Sequence, residues 1–95
     1  SLVLQARTTA LEQAGRQARA AAEALSTEPD YADLLDRLRR LASGQLSEEA
    51  RVVADPAGRP GLIAEVDGRR VDYRLATIAD RVLAGLGPDL ERLWQ

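Results

Sequence analysis

Leu62-Ile63-Ala64-Glu65-Val66 and Arg69-Arg70-Val71-Asp72-Tyr73 stand on either side of an Asp67-Gly68 pair. An Asp-Gly pair takes the positive φ angles that a two-residue hairpin turn demands, so this stretch predicts a β-hairpin. Leu62, Ala64 and Val66 alternate onto one face, giving the sheet an apolar surface that helices from elsewhere in the chain must cover. Upstream, Ala50-Arg51-Val52-Val53-Ala54-Asp55 reads as a further short strand, and Pro56-Ala57-Gly58-Arg59-Pro60-Gly61 as turn or loop. The fold class that follows is α+β: a long N-terminal helix, a second amphipathic helix, a small β-sheet containing the hairpin, and C-terminal helices.

The helices are read from composition and spacing. Ser1 to Leu25 holds no Pro and one Gly, and is dominated by Ala, Leu, Gln, Arg and Glu, which lose little side-chain freedom in a helix. Leu4, Leu11, Ala18 and Leu25 recur every seven residues, with Thr8, Ala14, Ala21 and Ala22 beside them and Arg7, Glu12, Arg16 and Arg19 off the stripe. This narrow seam either packs on its own domain or joins a coiled coil with another chain. The chain enters the pattern with no cap beyond Ser1, so the expectation is a fragment that starts partway along a longer helix. A second helix is predicted after Ser26–Asp30, with Pro29 at its first position and Thr27 or Glu28 as cap. Tyr31, Leu34, Leu35, Leu38, Leu41 and Ala42 form its apolar stripe, and Gly44 is expected to close it in the left-handed conformation. Asp72 is expected to cap a third helix carrying Leu75, Ile78, Ala79, Val82, Leu83 and Leu86, ended by Gly85, Gly87 and Pro88. A last turn or two, Asp89 to Gln95, carries Leu90, Leu93 and Trp94.

Ninety-five residues make one small domain, and with aromatics at 3% and no Phe or Met its core must be a thin one of Leu, Val, Ile and Ala. Thirteen basic and fifteen acidic residues give a net charge of −2, interspersed along the helices, so neither nucleic acid nor an anionic membrane is indicated as a partner. No apolar run approaches the roughly 20 residues of a membrane-spanning helix. With no Cys there is no disulfide framework or thiolate site, and a reducing interior fits best.

The absence of His and Cys also removes the usual general base, the thiol nucleophile and the commonest nitrogen and sulfur metal ligands. Asp30, Asp33 and Asp36 follow one another at three-residue spacing and define the one carboxylate alternative, a small acid-dependent hydrolase. A helix start favours acidic residues, and Arg37, Arg39 and Arg40 stand ready to pair with them, so they read as a solvated face. No catalytic residue, cofactor-binding residue, cofactor or metal ligand is therefore assigned. Arg69 and Arg70 beside the turn could touch a phosphate or an acidic partner, or simply be solvated. Trp94 reads as a core plug beside Leu90 and Leu93, or as an anchor in a partner's pocket.

Taken together, the order of these pieces resembles the C-terminal region of the E subunit family of vacuolar- and archaeal-type rotary ATPases. The stretch Gly61 to Leu75 is similar to that family's signature: an apolar strand after Gly, an Asp-Gly turn, a strand ending in Val71-Asp72, then a helix with Leu75 and Arg81 and a closing Leu93-Trp94. The long Ala/Arg/Glu-rich helix, Pro29-Asp30-Tyr31, Leu34-Leu35, Leu38 and Val52-Val53 resemble the entry to the family's globular region. Two departures stand out. Tyr73-Arg74 follows Val-Asp where the family usually has an Asn-Thr-like pair. Only Pro56 to Pro60 separates the Val-rich strand from the Gly-led one, where the family has a helix and a further strand; the expectation is a segment missing between Asp55 and Gly61, the alternative a shortened variant.

The resemblance implies a non-catalytic peripheral-stalk (stator) subunit, cytoplasmic and peripheral to the membrane as part of the ATPase complex. Residues 1–25 would be the end of a long stalk helix and residues 26–95 the globular C-terminal domain. It further implies pairing with a second helical stalk subunit of the G or H type and attachment to the catalytic-head subunits, with no insertion into the membrane. The partner-interface candidates are Leu4, Leu11, Ala18, Leu25, Arg69, Arg70, Leu90 and Trp94, and the isolated fragment could pair with itself as a homodimer. The alternative is a stator or regulator of a flagellar or type III export ATPase, whose proteins resemble the same family.

Overall fold

The computed structural model describes residues 2–86. In chain order it contains α1 (Leu2–Ala24), a single 3-10 turn (Leu25–Thr27), α2 (Tyr31–Gln45), β1 (Arg51–Val53), β2 (Gly61–Val66), β3 (Arg69–Arg74) and α3 (Leu75–Gly85). The fold is α+β, with the three strands forming one antiparallel sheet in the order β1-β2-β3. The expected final turns carrying Leu90, Leu93 and Trp94 lie outside the described residues.

The hairpin forms as its sequence dictates. Asp67 and Gly68 take φ of 49° and 76°, the pair of left-handed conformations that brings two right-twisted strands together with a two-residue turn. The register runs from Val66 opposite Arg69 to Gly61 opposite Arg74, so Ala64 faces Val71 and Leu62 faces Tyr73. β1 adds to the far side of β2 with Val52 opposite Ala64 and Val53 opposite Ile63. Residues 54–60 join these two antiparallel neighbours. Gly58 N donates to the Asp55 carbonyl at 2.9 Å, while the Asp55 carboxylate accepts from the amides of Ala57 and Arg59, both at 3.1 Å.

The core lies between one sheet face and α2 and α3. Leu38 and Ala42 from α2, Leu62 and Ala64 from β2 and Leu75 from α3 are buried together, with Ala22, Tyr31, Leu34, Leu46, Val71, Tyr73 and Ile78 packed around them. None of the larger side chains among the described residues is completely sealed from solvent, as a core made of aliphatic side chains in so short a chain leads one to expect. Ile63 is buried as well, but alternation sends it to the opposite sheet face, where it stands between Val53 and Asp72. That residue lies outside the Leu62, Ala64, Val66 face expected to carry the sheet's burial, and Val66 itself is only half-buried.

Three expected helix ends are corrected. α2 starts at Tyr31 rather than Pro29, and its cap position is Asp30 with no side-chain cap bond; Thr27 instead turns its hydroxyl back onto the Ala24 carbonyl at 2.9 Å, finishing the preceding helix. Gly44 stays helical and α2 runs through Gln45, because Leu46 N still reaches the Ala42 carbonyl at 2.9 Å. Asp72 does not cap α3 by way of its first amides. β3 passes straight into α3 at Arg74, and the Leu75 amide is satisfied by the Pro60 carbonyl at 3.0 Å. The Asp72 carboxylate instead accepts from the Arg74 amide at 3.0 Å and the Thr77 hydroxyl at 3.3 Å.

Gly61 makes that junction possible. Its φ is 104°, and a Cβ there would run into the Tyr73 carbonyl oxygen and the Arg74 Cα, both backbone atoms that cannot swing aside. Its amide donates to the Tyr31 hydroxyl at 2.7 Å, so the first residue of α2 is pinned to the first residue of β2.

Candidate partner interface

α1 is a 23-residue helix, about 34 Å long at 1.5 Å per residue, and its two halves live in different surroundings. The C-terminal half is held by the head. α3 runs back along it, with Arg19 Nη1 2.9 Å from Asp80 Oδ1, and Glu23 reaches Arg59 of the 54–60 loop at 3.2 Å. Ala18 and Ala22 are half-buried there. The N-terminal half is exposed: Leu2 is 84%, Val3 65%, Leu4 57% and Leu11 38% accessible. The molecule is accordingly extended, with a radius of gyration of 16.2 Å where about 12 Å is usual for this length.

The heptad residues are thereby divided. Leu4 and Leu11 lie on the exposed half, whereas Ala18 and Leu25 border an apolar groove of about 390 Å³. Ala22 completes the α1 wall, Leu34 belongs to α2, and Ile78 and Val82 face them from α3; no polar surface lines the groove. Val82, expected in the stripe of α3, is 57% exposed along it, and Leu86, expected in the same stripe, is 43% exposed just past the end of α3. Sequence periodicity finds each wall but not the groove, because three separate stripes converge to make it.

The hairpin arginines have intramolecular work. Arg69 Nη2 donates to the Leu46 carbonyl at 3.2 Å, meeting one of the carbonyls left open where α2 ends. Arg70 lies 3.9 Å from Glu65, which Arg51 approaches at 3.3 Å from β1, so a row Arg51, Glu65, Arg70 crosses the outer sheet face. With Glu49 and Asp67 this row lines a shallow charged cleft in which carboxylates and guanidinium groups alternate. Leu90 and Trp94 lie outside the described residues.

The carboxylate alternative gains no geometry. Asp30, Asp33 and Asp36 are exposed, and Asp36 sits 3.6 Å from Arg39 one turn on. No group of three or more carboxylates that could hold a metal ion occurs among the described residues. No described helix is long and apolar enough to cross a membrane.

The perturbed acids belong to a structural cluster that sequence inspection did not single out. Asp72 is lowered to about 2, chiefly by the hydrogen bonds from the Arg74 side chain, against the opposing effect of partial burial. Asp55 is lowered first by the Ala57 amide, and Arg74 is raised first by its bond to Asp72. Arg81, from the middle of α3, donates to the Asp72 carbonyl at 2.7 Å. This cluster binds loop, strand and helix to one another, and its Arg74 and Thr77 also line an open cleft of about 320 Å³ together with Arg19, Glu23, Arg59 and Asp80. The visible signal was the Asp72-x-Arg74 pair, whose side chains share a strand face at period two.

No protein-family model matches the chain, and no curated protein or solved structure matches it either.

Proposed function

We propose that this chain is a non-catalytic connector: a peripheral-stalk (stator) subunit similar to the E subunit of vacuolar- and archaeal-type rotary ATPases, peripheral to the membrane on the cytoplasmic side. The observation that carries the reading is the division of α1, whose C-terminal half is ion-paired to the head while Leu4 and Leu11 extend the same apolar seam into solvent. Such a seam suits a second stalk helix, since leucines at seven-residue spacing bury their side chains only against a neighbour. The head supplies an attachment surface and no chemistry. Its best-formed polar cluster, Asp55, Arg74 and Asp72, is consumed in holding the fold together.

The test is co-expression with a helical stalk subunit of the G or H type, followed by purification on the partner's tag and mass measurement. A one-to-one complex is expected, and Leu4→Asp with Leu11→Asp is expected to abolish it while the circular dichroism of the head is retained. Capture that survives both substitutions in a folded chain would remove the reading.

A further inference from the structure

β3 forms an edge of the sheet, with β2 on one side and no strand on the other among the described residues. A two-residue turn makes its flanking residues, Val66 and Arg69, a hydrogen-bonded pair, and antiparallel alternation does the rest. The main-chain groups of Arg69, Val71 and Tyr73 point toward β2, and those of Arg70, Asp72 and Arg74 point outward. The Leu75 amide continues the inward series on the Pro60 carbonyl, 3.0 Å away. An outward row of this kind is a template for a further strand. Here it is obstructed. The Arg74 amide donates to the Asp72 carboxylate at 3.0 Å, and the Asp72 carbonyl accepts from Arg81 Nη1 of α3 at 2.7 Å. The opposite edge offers little: in β1, Arg51 and Val53 bond inward opposite Glu65 and Ile63, and only Val52 between them faces out.

We propose that Arg81 is an autoinhibitory lock on the β3 edge, and that the strand it shuts out is β3 of a second copy of this chain. Charge selects that strand and its register. Laid antiparallel about a two-fold axis at Val71, two copies of β3 set Arg70 of each opposite Asp72 of the other. Each such pair exchanges both main-chain bonds and puts a guanidinium beside a carboxylate. An axis at Asp72 would instead set Arg70 opposite Arg74, like charge against like, and would call on the Arg74 amide that the Asp72 carboxylate already holds. The favoured register needs the Asp72 carbonyl, which is the group Arg81 occupies. A cationic donor on a carbonyl makes a strong bond, so the edge stays shut while Arg81 is in place. The inference rests on the sheet alone and is independent of the stalk reading, whose partner helix meets α1.

Arg81 is exposed, so substituting it empties no part of the core. Arg81→Ala removes the donor and the stem, and Arg81→Met removes the donor alone. Both variants and the parent chain are to be compared by sedimentation equilibrium over one concentration series, with amide exchange measured on the same samples. Each variant is expected to exceed the parent in mass at matched concentration, rising toward twice the 10.3 kDa of the single chain. Over the same series the amide protons of Arg70 and Asp72, which face outward in the parent, are expected to slow by about tenfold or more. Adding Arg70→Asp to Arg81→Met sets carboxylate against carboxylate and is expected to restore the mass of the parent. Variants that keep the parent's circular dichroism, mass and exchange at Arg70 and Asp72 at every concentration overturn the proposal. Association that Arg70→Asp leaves intact overturns it as well, since the contact would then lie elsewhere.

Discussion

Arg74 reaches back over two residues of β3 to Asp72, placing Nη2 2.6 Å from Oδ2 and Nε 3.0 Å from Oδ1, while Nη1 lies 3.6 Å from Asp55 Oδ2 in the loop before β2. One guanidinium thus holds two carboxylates from segments seventeen residues apart in sequence, Asp55 and Asp72 (72 − 55). Its planar set of donors suits that role better than the single ammonium of a lysine.

Asp72 makes stability depend on acid. Its folded pKa of about 2 lies below the ordinary 3.8, so its contribution is fully present above pH 4 and is lost as pH falls toward 2. The shift corresponds to about 2 kcal/mol at neutral pH. Asp72→Asn is expected to lower the unfolding free energy at pH 7 by about that amount and to flatten its fall between pH 4 and pH 2, with a smaller slope remaining from Asp55. Urea titrations at a series of pH values measure both effects, and an unchanged slope would refute the assignment.

Gly61→Ala should be among the most damaging single-methyl additions in the chain. It combines a φ of 104° with backbone atoms in the way of the new carbon. A cost of about 3 kcal/mol or more is expected, which for a domain of this size lowers the melting temperature by at least about 12 °C. Gly58→Ala, also at positive φ but with open space around it, should cost distinctly less in the same thermal melts.

The two faces of α2 should respond oppositely to truncation. Leu38 is 6% exposed at the centre of the core, whereas Leu41, three residues on, is 57% exposed. Leu38→Ala is expected to cost about 2–4 kcal/mol and Leu41→Ala less than about 0.5 kcal/mol, read from chemical denaturation. Comparable losses would mean that α2 is rotated from the orientation described.

Divalent metal should leave the protein unchanged. Asp30, Asp33 and Asp36 face solvent, so magnesium or manganese at millimolar levels should not move the melting temperature, and Asp33→Asn should behave as the parent does. A metal-dependent rise that Asp33→Asn abolishes would revive a carboxylate site.

The sequence made the sheet legible because Asp67-Gly68 dictates its own backbone geometry and fixes the alternation on either side. The apolar stripes of α2 and α3 were legible in part: Leu34, Leu38 and Ala42, and Leu75 and Ile78, turn inward as their spacing indicates, whereas Leu41, Val82 and Leu86, expected in the same stripes, are 57%, 57% and 43% exposed. Helix ends were less so. Thr27, Glu28, Gly44 and Asp72 all have side chains or backbone freedom suited to a cap, but each decision depends on where the neighbouring segment arrives. The Pro60 carbonyl satisfies the Leu75 amide, and the Tyr31 hydroxyl receives that of Gly61, contacts between segments far apart in sequence. The division of α1 was equally invisible, since a heptad stripe looks the same whether α3 or solvent lies beside it.

Because the two-residue turn brings β2 and β3 together with almost no loop to close, that pairing can form on the microsecond scale, before any contact that must bring α1 to the sheet. β1 then has only three residues to zip onto a finished edge. Local opening should follow the reverse order: amide protons at Leu62 and Ala64 exchange last, and those of the first turns of α1 exchange with little more protection than an isolated helix provides.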